Sequence, residues 1–307
     1  QRRMSVSEWA EQNRVVSAES GSRYPGPWRN DRAPHLVEIM DSLGPDDPAE
    51  DIPFVKSAQV GGSEVGVNFF GYVADQELKD RSERGSTAAF KKFRGGFCQV
   101  TFAGSSTGLQ SVSIRYTLGD EVSEWPAEAG ERGDPVTQVK KRTEIFERDR
   151  KRLWVSTPAI LGTCRITQMY EGSDKRRRYV QCPQCGAWQV LKFENLKWES
   201  DAWPHTAWFE CMGNGCVIDH LDKAEMMAGA HWIATAGEDG PPEVFDAEDL
   251  DHWRNRPVPG RVRGFHIWKA YSLMTSWDAI VGEWFDAKGS SARMRVFTQQ
   301  VLGEAWE

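Results

Sequence analysis

The sequence predicts an α/β fold in which a mostly parallel central sheet is flanked by helices, with a small metal-binding insertion. Three observations predict it: apolar strand-like runs end in polar residues, helical patterns follow such runs, and four cysteines occur as two close pairs. Strands that alternate with helices are typical of parallel sheets. We therefore expect the polar strand ends to meet in one crevice at the edge of the sheet.

The composition is typical of a soluble globular protein with one large domain and an appendage, or with two domains. The 307 residues are 39% hydrophobic and 27% charged, and the mean hydropathy is −0.58. No apolar run approaches the roughly 20 residues of a membrane helix, and the polar N-terminal stretch does not resemble a signal peptide. The net charge of −7 argues against a wholly nucleic-acid-binding surface but not against a local basic channel.

Apolar spacing predicts the elements in chain order. The predicted helices are 34–43, a buried helix after residue 64, 135–148, 221–230, 276–287 and 292–302. The predicted strands are 52–55, 97–102, 114–118 and 153–155. In helix 135–148, we expect Val136, Val139 and Ile145 to face inward.

Residues 56–64 read Lys-Ser-Ala-Gln-Val-Gly-Gly-Ser-Glu and lie between a predicted strand and a predicted helix. This is the context that a phosphate-binding loop requires. In the pattern Gly-x-x-x-x-Gly-Lys-[Ser/Thr], Gly61 and Ser63 take the sixth and eighth places. Lys56 stands first and Gly62 stands where the lysine is expected, so the lysine would reach the phosphates from the front of the loop. A generic tight turn between strand and helix is the alternative.

Two further strands end in polar pairs that fit the same chemistry. Asp120 would hold Mg²⁺ together with Ser63, and Glu121 would polarise the water that attacks the γ-phosphate of ATP. Ser156 and Thr157, at the end of the next strand, would sense that phosphate. Each pair alone is a weak signal, but three such strand ends in this order form a more specific set. The predicted nucleotide-binding residues are Lys56, Ser57, Ala58, Gln59, Val60, Gly61, Gly62, Ser63, Ser156 and Thr157.

The two cysteine pairs predict a structural zinc site. Cys182 and Cys185 lie in Cys-Pro-Gln-Cys-Gly, and Cys211 and Cys216 lie in Cys-Met-Gly-Asn-Gly-Cys. Tetrahedral zinc needs four soft ligands, and two short knuckles with small residues can supply them. Disulfide pairing is the alternative, although a metal-like arrangement favours a reducing, cytosolic compartment.

Eight motifs in this order, spread over nearly the whole chain, resemble the large terminase subunit of tailed phages, lambda type. They are Tyr24-Pro-Gly-Pro-Trp28, Lys56-Ser-Ala-Gln-Val-Gly61, Gly119-Asp-Glu-Val122, Gly133-Asp-Pro135, Ser156-Thr-Pro158, Cys182-Pro-Gln-Cys-Gly186, Phe265-His-Ile-Trp268 and Leu302-Gly-Glu-Ala-Trp-Glu307. The resemblance implies a P-loop NTPase of the ASCE type, with ATP and Mg²⁺, that drives viral DNA into a procapsid.

The resemblance also implies roles and partners. Lys56 becomes the phosphate lysine of a loop that includes Gln59, Asp120 the metal-holding acid, Glu121 the catalytic glutamate, and Ser156-Thr157 the coupling motif. The segment 24–28 resembles the one that borders the adenine. The implied partners are double-stranded DNA, the terminase small subunit, the capsid portal and further copies in a ring, in the host cytoplasm and without a membrane.

The predicted organisation is an N-terminal region and ATPase core at 1–177, a zinc ribbon at 178–220 and a helical part of the ATPase domain at 221–307. The family's nuclease domain is expected to begin where this sequence ends, so we do not expect these residues to cut DNA. The span from Gly61 to Asp120 is short, which suggests a missing portion between about Val73 and Ser86.

An arginine usually completes such a site. Arg81, Arg84 and Arg94 are candidates, as is an arginine of a neighbouring subunit. A helicase-like ATPase with a zinc insert and a non-enzymatic zinc-ribbon adaptor for nucleic acids are the alternative functions. The basic run 175–178 is either a solvated face or a DNA contact.

Overall fold

A computed structural model gives the fold and describes residues 3–76, 90–93, 96–105, 108–109, 112–199, 201 and 203–307. The helices are α1 (Val6–Asn13), α2 (Val37–Ser42), α3 (Gly62–Gln76), α4 (Pro135–Arg142), α5 (Arg165–Glu171), α6 (Lys223–Ala228), α7 (Leu250–Arg254), α8 (Trp277–Ala287) and α9 (Ser291–Phe297), followed by a π-helical turn, Thr298–Leu302. None of these described helices combines the length and apolar character needed to cross a bilayer.

The strands are β1 (Val15–Val16), β2 (Gly26–Pro27), β3 (Asp51–Lys56), β4 (Phe90–Phe93), β5 (Gly96–Gln99), β6 (Tyr116–Asp120), β7 (Lys151–Ser156), β8 (Arg176–Gln181), β9 (Trp188–Val190), β10 (Leu196–Trp198), β11 (Ala207–Glu210), β12 (Val217–Ile218), β13 (His231–Ala234), β14 (Val244–Phe245) and β15 (Phe265–Ile267). Within the described residues, β3, β6, β7, β8, β9, β13, β14 and β15 form one central sheet.

The sheet has the order β14-β9-β8-β15-β3-β7-β6, and β13 also pairs with β8. The strands β8, β15, β3, β7 and β6 run parallel. Both β9 and β13 pair antiparallel with β8, and β14 pairs antiparallel with β9. The prediction of an α/β fold with a mostly parallel sheet is therefore confirmed. One strand, β7, separates β3 from β6, and all three end at the same edge, where the predicted site residues meet.

Two neighbouring interior strands of the sheet, β3 and β7, are buried on both faces. Every residue of β7 is buried, and in β3 only Asp51 is partly exposed. Such continuous burial is typical of parallel strands that are covered by helices. Phe54 lies opposite Val155 in the ladder, and the buried Arg152 is neutralised by an ion pair with Asp51.

The N-terminal region is held against α3 by close packing. A Cβ added to Gly71 would lie 2.4 Å from the Trp9 ring, so only glycine allows this contact. The Trp9 indole N–H also donates to the Asp75 carboxylate at 2.9 Å. These contacts fix α1 against α3.

The predicted helix 135–148 ends earlier than expected. α4 stops at Arg142, where the Thr143 hydroxyl donates to the Lys140 carbonyl at 2.8 Å. Val136 and Val139 are buried as predicted, but Ile145 is 77% exposed. The inward orientation of Ile145 was wrong because the turn at Thr143 breaks the helical register that placed it on the buried face.

Between the loop that follows β3 and the strand β6, the secondary structure differs in part from the prediction. The predicted strand 97–102 corresponds to β5, which ends at Gln99 and, among the described residues, pairs with β4 outside the central sheet. Phe102, predicted as part of that strand, is 75% exposed. The helix α3 continues through Val73 to Gln76. Residues 77–86 of the suspected gap, and with them Arg81 and Arg84, lie outside the described residues, as does Arg94.

The predicted zinc-ribbon range shares strands with the central sheet. β9 lies within this range, and β8 continues into it; both belong to the large sheet, whereas β10, β11 and β12 form a separate antiparallel sheet. The first cysteine pair follows β8, and the second follows β11. The hairpin β8–β9 therefore joins the cysteines directly to the parallel core.

Candidate functional site

The loop between β3 and α3 has the backbone shape of an anion site. Gln59 has a φ of +57° and Gly61 a φ of +86°. Alternation of left-handed and right-handed residues turns N–H groups toward one concave side, and the N-terminus of the 15-residue α3 adds partial positive charge. The left-handed Gln59 costs on the order of 1–3 kcal/mol, which favours a functional reason for this conformation.

Lys56 fills the space that a side chain at position 62 would need. A Cβ added to Gly62 would lie 2.7 Å from Cδ of Lys56 and 2.6 Å from Cγ1 of Val155. No side chain fits there, because the lysine and β7 already occupy the volume. The Lys56 side chain is only 7% exposed. The lysine at position 56 therefore occupies the space next to position 62, where the usual loop pattern has its lysine.

The Lys56 ammonium is held by the carboxylate of Glu121. Nζ of Lys56 donates to Oε1 of Glu121 at 3.0 Å. The other oxygen, Oε2, accepts from the Thr157 N–H at 3.2 Å and from the hydroxyls of Thr157 and Ser156 at 3.3 Å each. One carboxylate thus connects the ends of β3, β6 and β7. The structure brings together the residues that the sequence assigned to three separate strand ends.

Glu121 is positioned by its backbone as well as by its partners. Its φ is +49°, and its N–H donates to Oδ1 of Asp120 at 3.2 Å. Partial burial acts to raise the pKa of Glu121, but the Lys56 ammonium and the hydrogen bonds from Thr157 outweigh it, so the pKa lies below its ordinary value. The carboxylate is therefore ionised at neutral pH and can accept a hydrogen bond from water.

Ser63 and Asp120 form a second pair at the same edge. Oγ of Ser63, on the first turn of α3, donates to Oδ2 of Asp120 at 2.9 Å. A hydroxyl and a carboxylate in direct contact suit Mg²⁺, which prefers oxygen ligands and usually also binds phosphate and water. The two side chains therefore fit the metal that the sequence predicted for them.

A cavity of about 150 Å³ opens beside the loop. It is lined by Gln59 and Gly61 on one side and by Tyr24 and Trp28 on the other. Two arginines, Arg23 and Arg32, place their guanidinium carbons 5.5 Å and 5.2 Å from the Tyr24 ring centre. The cavity lies where the resemblance places the border of the adenine.

The first loop residues are engaged by the C-terminal segment. The Ser57 N–H donates to the Ile267 carbonyl at 3.2 Å, and the Ala58 N–H donates to the Gln300 carbonyl at 2.9 Å. These two predicted nucleotide-binding residues thus direct their N–H groups to protein carbonyls. Sequence reasoning missed Gln300, because a backbone acceptor leaves no mark on the sequence.

The four cysteines converge on one point. Their sulfur atoms lie within 4.8 Å of one another, and those of Cys185 and Cys211 are 3.6 Å apart. Tetrahedral zinc with Zn–S bonds of about 2.3 Å places its sulfur ligands about 3.8 Å apart. All the cysteines are free thiols, so the structure contains no disulfide of the alternative reading.

The two knuckles use the same backbone hydrogen bonds. In the first, the Cys182 N–H donates to the Ala187 carbonyl at 2.8 Å and the Gly186 N–H donates back to the Cys182 carbonyl at 2.9 Å. In the second, Cys211 bonds to Cys216 and Gly215 in the same way, at 2.8 and 2.9 Å. Both glycines have positive φ, 78° and 67°. The small residues therefore allow each chain to turn beneath the sulfur atoms.

The basic run 175–178 is mostly engaged within the protein. Arg176 pairs with Glu38 and Asp174, and Arg177 pairs with Glu243. Arg178 is only 4% exposed and donates to a backbone carbonyl. A solvated face or a DNA contact is therefore wrong for Arg178, because β8 carries it into the core.

Family models and individual relatives both indicate the same protein family. The family model for the phage terminase large subunit gpA, ATPase domain, matches residues 22–80 and 74–232, and the model for the endonuclease domain of that subunit matches 262–307. The chain is 27% identical to the terminase large subunit of Enterobacteria phage P21 over 99% of its length and 53% of the relative's. It is also 27% identical to the terminase large subunit of Escherichia phage lambda, over 98% of this chain and 52% of that protein.

The chain spans about half the length of the curated relatives it matches. No solved structure matches it significantly. The alignment with the phage P21 protein covers 352 positions, more than the 307 residues of this chain, so the relative carries residues that this chain lacks. The two pieces of the ATPase-domain match overlap at residues 74–80, inside the window in which a missing portion was predicted.

Proposed function

The chain belongs to the phage terminase large subunit gpA family, whose ATPase-domain model matches most of it, and from this premise we propose that it is an ATP-hydrolysing motor domain that drives viral DNA into a procapsid. The observation that carries the proposal is the Glu121 carboxylate, which joins Lys56 to Ser156 and Thr157 at one edge of the sheet. A strand between the loop strand and the acidic strand supports the ASCE type of P-loop NTPase.

The proposed chemistry is in-line attack of water on the γ-phosphate of ATP. The loop from Gln59 to Ser63 would cradle the phosphates, and Lys56 would leave Glu121 to bind them. Glu121 would then orient the water and take its proton, as the bond to the leaving oxygen of ADP breaks. Ser63 and Asp120 would hold Mg²⁺, which would neutralise negative charge on the phosphates.

The test is ATP turnover by Glu121→Gln. We expect turnover to fall roughly a hundredfold to ten-thousandfold, because the substitution removes the proton acceptor. ATP binding should persist, because the loop and the magnesium ligands are unchanged. Glu124→Gln, the same change at an exposed position on the next turn, is the matched control and should behave as wild type. Wild-type turnover by Glu121→Gln would refute the assignment of Glu121.

Zinc is the metal that we propose for the four cysteines. The proposal is supported by the convergence of four sulfur atoms and by the paired knuckle geometry. Four protein ligands leave no position open for water, so the role of the metal would be structural. Elemental analysis of the purified protein should find one zinc per chain, and a metal-free folded protein would count against it.

The partners follow from the family and from the names of the relatives. We propose that the domain acts on double-stranded DNA in the host cytoplasm, with the terminase small subunit, the capsid portal and further copies in a ring. The alternatives, a helicase-like ATPase and a non-enzymatic adaptor, are less well supported, because neither accounts for the family match. The arginine that completes the site stays open among Arg81, Arg84, Arg94 and a neighbouring subunit.

The proposed domain limits are those predicted from the sequence, and the position of β15 supports them. Residues 178–220 would form the zinc ribbon, and 221–307 would complete the ATPase domain. β15, which lies in the part that matches the endonuclease-domain model, pairs in parallel with both β3 and β8. This position supports assigning it to the ATPase sheet.

A further inference from the structure

The π-helical turn Thr298–Leu302 touches two strand ends of the proposed ATPase site. The Gln300 carbonyl accepts the N–H of Ala58, at the start of the phosphate loop, at 2.9 Å. Nε2 of Gln299 donates to the carbonyl of Ala159, just beyond β7, also at 2.9 Å. π-helical turns are rare, and they occur frequently at functional sites. The turn therefore spans the gap between the phosphate loop and the exit of β7.

The turn is fixed in place by burial and by close backbone packing. Phe297 and Val301, on either side of the two glutamines, are each 3% exposed. Gly303 ends the turn with a φ of +66°, and a Cβ there would lie 3.0 Å from the backbone nitrogen of Ser57 and 3.0 Å from the carbonyl oxygen of Ile267. The backbone at Gly303 is thus packed directly against the loop and against β15, so the turn cannot move without displacing them.

The other contact of the turn leads to the catalytic glutamate. The Ala159 carbonyl also accepts the Trp306 N–H at 2.9 Å, so two groups of the C-terminal segment converge on it. A single proline separates Ala159 from Thr157, and its ring restricts the backbone between them. Thr157 holds Glu121 through its N–H and its hydroxyl. A shift of Ala159 would therefore change the orientation of Glu121.

We infer that the turn Thr298–Leu302 is a strut that sets the distance between the phosphate loop and the strand end that orients Glu121, and that Gln299 is its positioning residue. This inference rests on the proposed ATPase function. The strut lies within 262–307, the part that matches the endonuclease-domain model. The two matched regions of the chain thus meet at the catalytic edge, where the position of the C-terminal segment controls turnover.

The test compares Gln299 variants in steady-state ATP hydrolysis. Gln299→Ala should lower kcat about tenfold with KM within about twofold, because the loop still binds ATP while Glu121 is misplaced. Gln299→Lys keeps a donor and should restore most of the rate. Gln299→Glu keeps the shape and removes the donor, so it repeats the test if the alanine variant misfolds. Gln168→Ala is the matched control, since Gln168 also donates its amide to a carbonyl of the loop after β7, that of Gly162, at 2.9 Å.

Hydrogen exchange of the amides at 156–161 separates the strut from the proposed function. Exchange should rise in Gln299→Ala and not in Gln168→Ala, whether or not ATP is hydrolysed. A wild-type protein without ATPase activity would refute the proposed function, and the exchange comparison would still decide the strut. Unchanged kcat and exchange in Gln299→Ala, a change in KM alone, or equal effects in Gln168→Ala would each overturn the inference.

Discussion

The phosphate-loop edge and the cysteine cluster both gather reactive side chains at one point, but they draw them from different distances along the chain. All four cysteines lie within residues 182–216. The phosphate-loop edge combines residues from 56 to 157, carried on three parallel strands. The cluster is built by two local turns, whereas the edge depends on the order of strands in the sheet.

Because of this difference, we expect the cysteine cluster to contribute mainly to folding stability and the phosphate-loop edge mainly to ATP binding and turnover. The four cysteines would serve only as ligands of a closed site, so a bound metal would contribute its free energy mainly to folding. At the phosphate-loop edge, Lys56 and Glu121 satisfy each other, and Ser63 satisfies Asp120. Because Ser63, Asp120 and Glu121 are at least partly exposed, their substitution should alter binding and turnover more than folding.

The largest expected effect is at the cluster. Cys211→Ser, at a residue that is 2% exposed, should remove zinc and lower the free energy of unfolding by several kcal/mol. Cys164→Ser is the matched control, because Cys164 is equally buried but outside the cluster. The measurement is thermal unfolding together with zinc content. Equal midpoints for the two variants would contradict a folding role for zinc and would weaken the comparison.

An intermediate effect is expected at the loop. Lys56→Ala should weaken ATP binding roughly tenfold to a hundredfold, because it removes a charged hydrogen-bond donor to the phosphates. Zinc content should be unchanged, and the unfolding midpoint should fall less than in Cys211→Ser. Titration with a fluorescent ATP analogue measures the affinity, with the exposed Lys141→Ala as control. A variant that binds ATP normally but unfolds early would place Lys56 on the structural side of the comparison.

The smallest effect concerns the Glu121 charge. Its pKa in the folded state is lowered, so its stabilisation is present above the ordinary value of about 4.3 and is lost only as the pH falls through the lower folded pKa. Because the side chain is 43% exposed, we expect less than about 1 kcal/mol. The difference in unfolding free energy between wild type and Glu121→Gln should stay flat from about pH 8 to 5. A difference that disappears between those values would show that the pKa is raised.

Much of the fold could be predicted from the sequence, because its strands and helices show clear patterns of apolar residues. The apolar runs that end at Lys56 and Ser156 form the buried strands β3 and β7, and the predicted helix 276–287 is observed as Trp277–Ala287. The predictions were weaker where local pattern and tertiary contact disagree. Ile145 has helical spacing, but the turn at Thr143 exposes it.

The sequence by itself determined which residues are proposed to carry chemistry, since their types and spacings are local properties: the cysteine pairs, the lysine-first loop and the acidic pair at the end of β6. Only the tertiary structure decided how these residues meet. The contact of Lys56 with Glu121 requires β7 to lie between β3 and β6, and this order is set by long-range strand pairing. The proposed strut at Thr298–Leu302 acts through the backbone carbonyl of Gln300 and the side-chain amide of Gln299, and local spacing in the sequence indicates neither contact. Contacts of this kind arise from packing, so they appear only when the chain is folded.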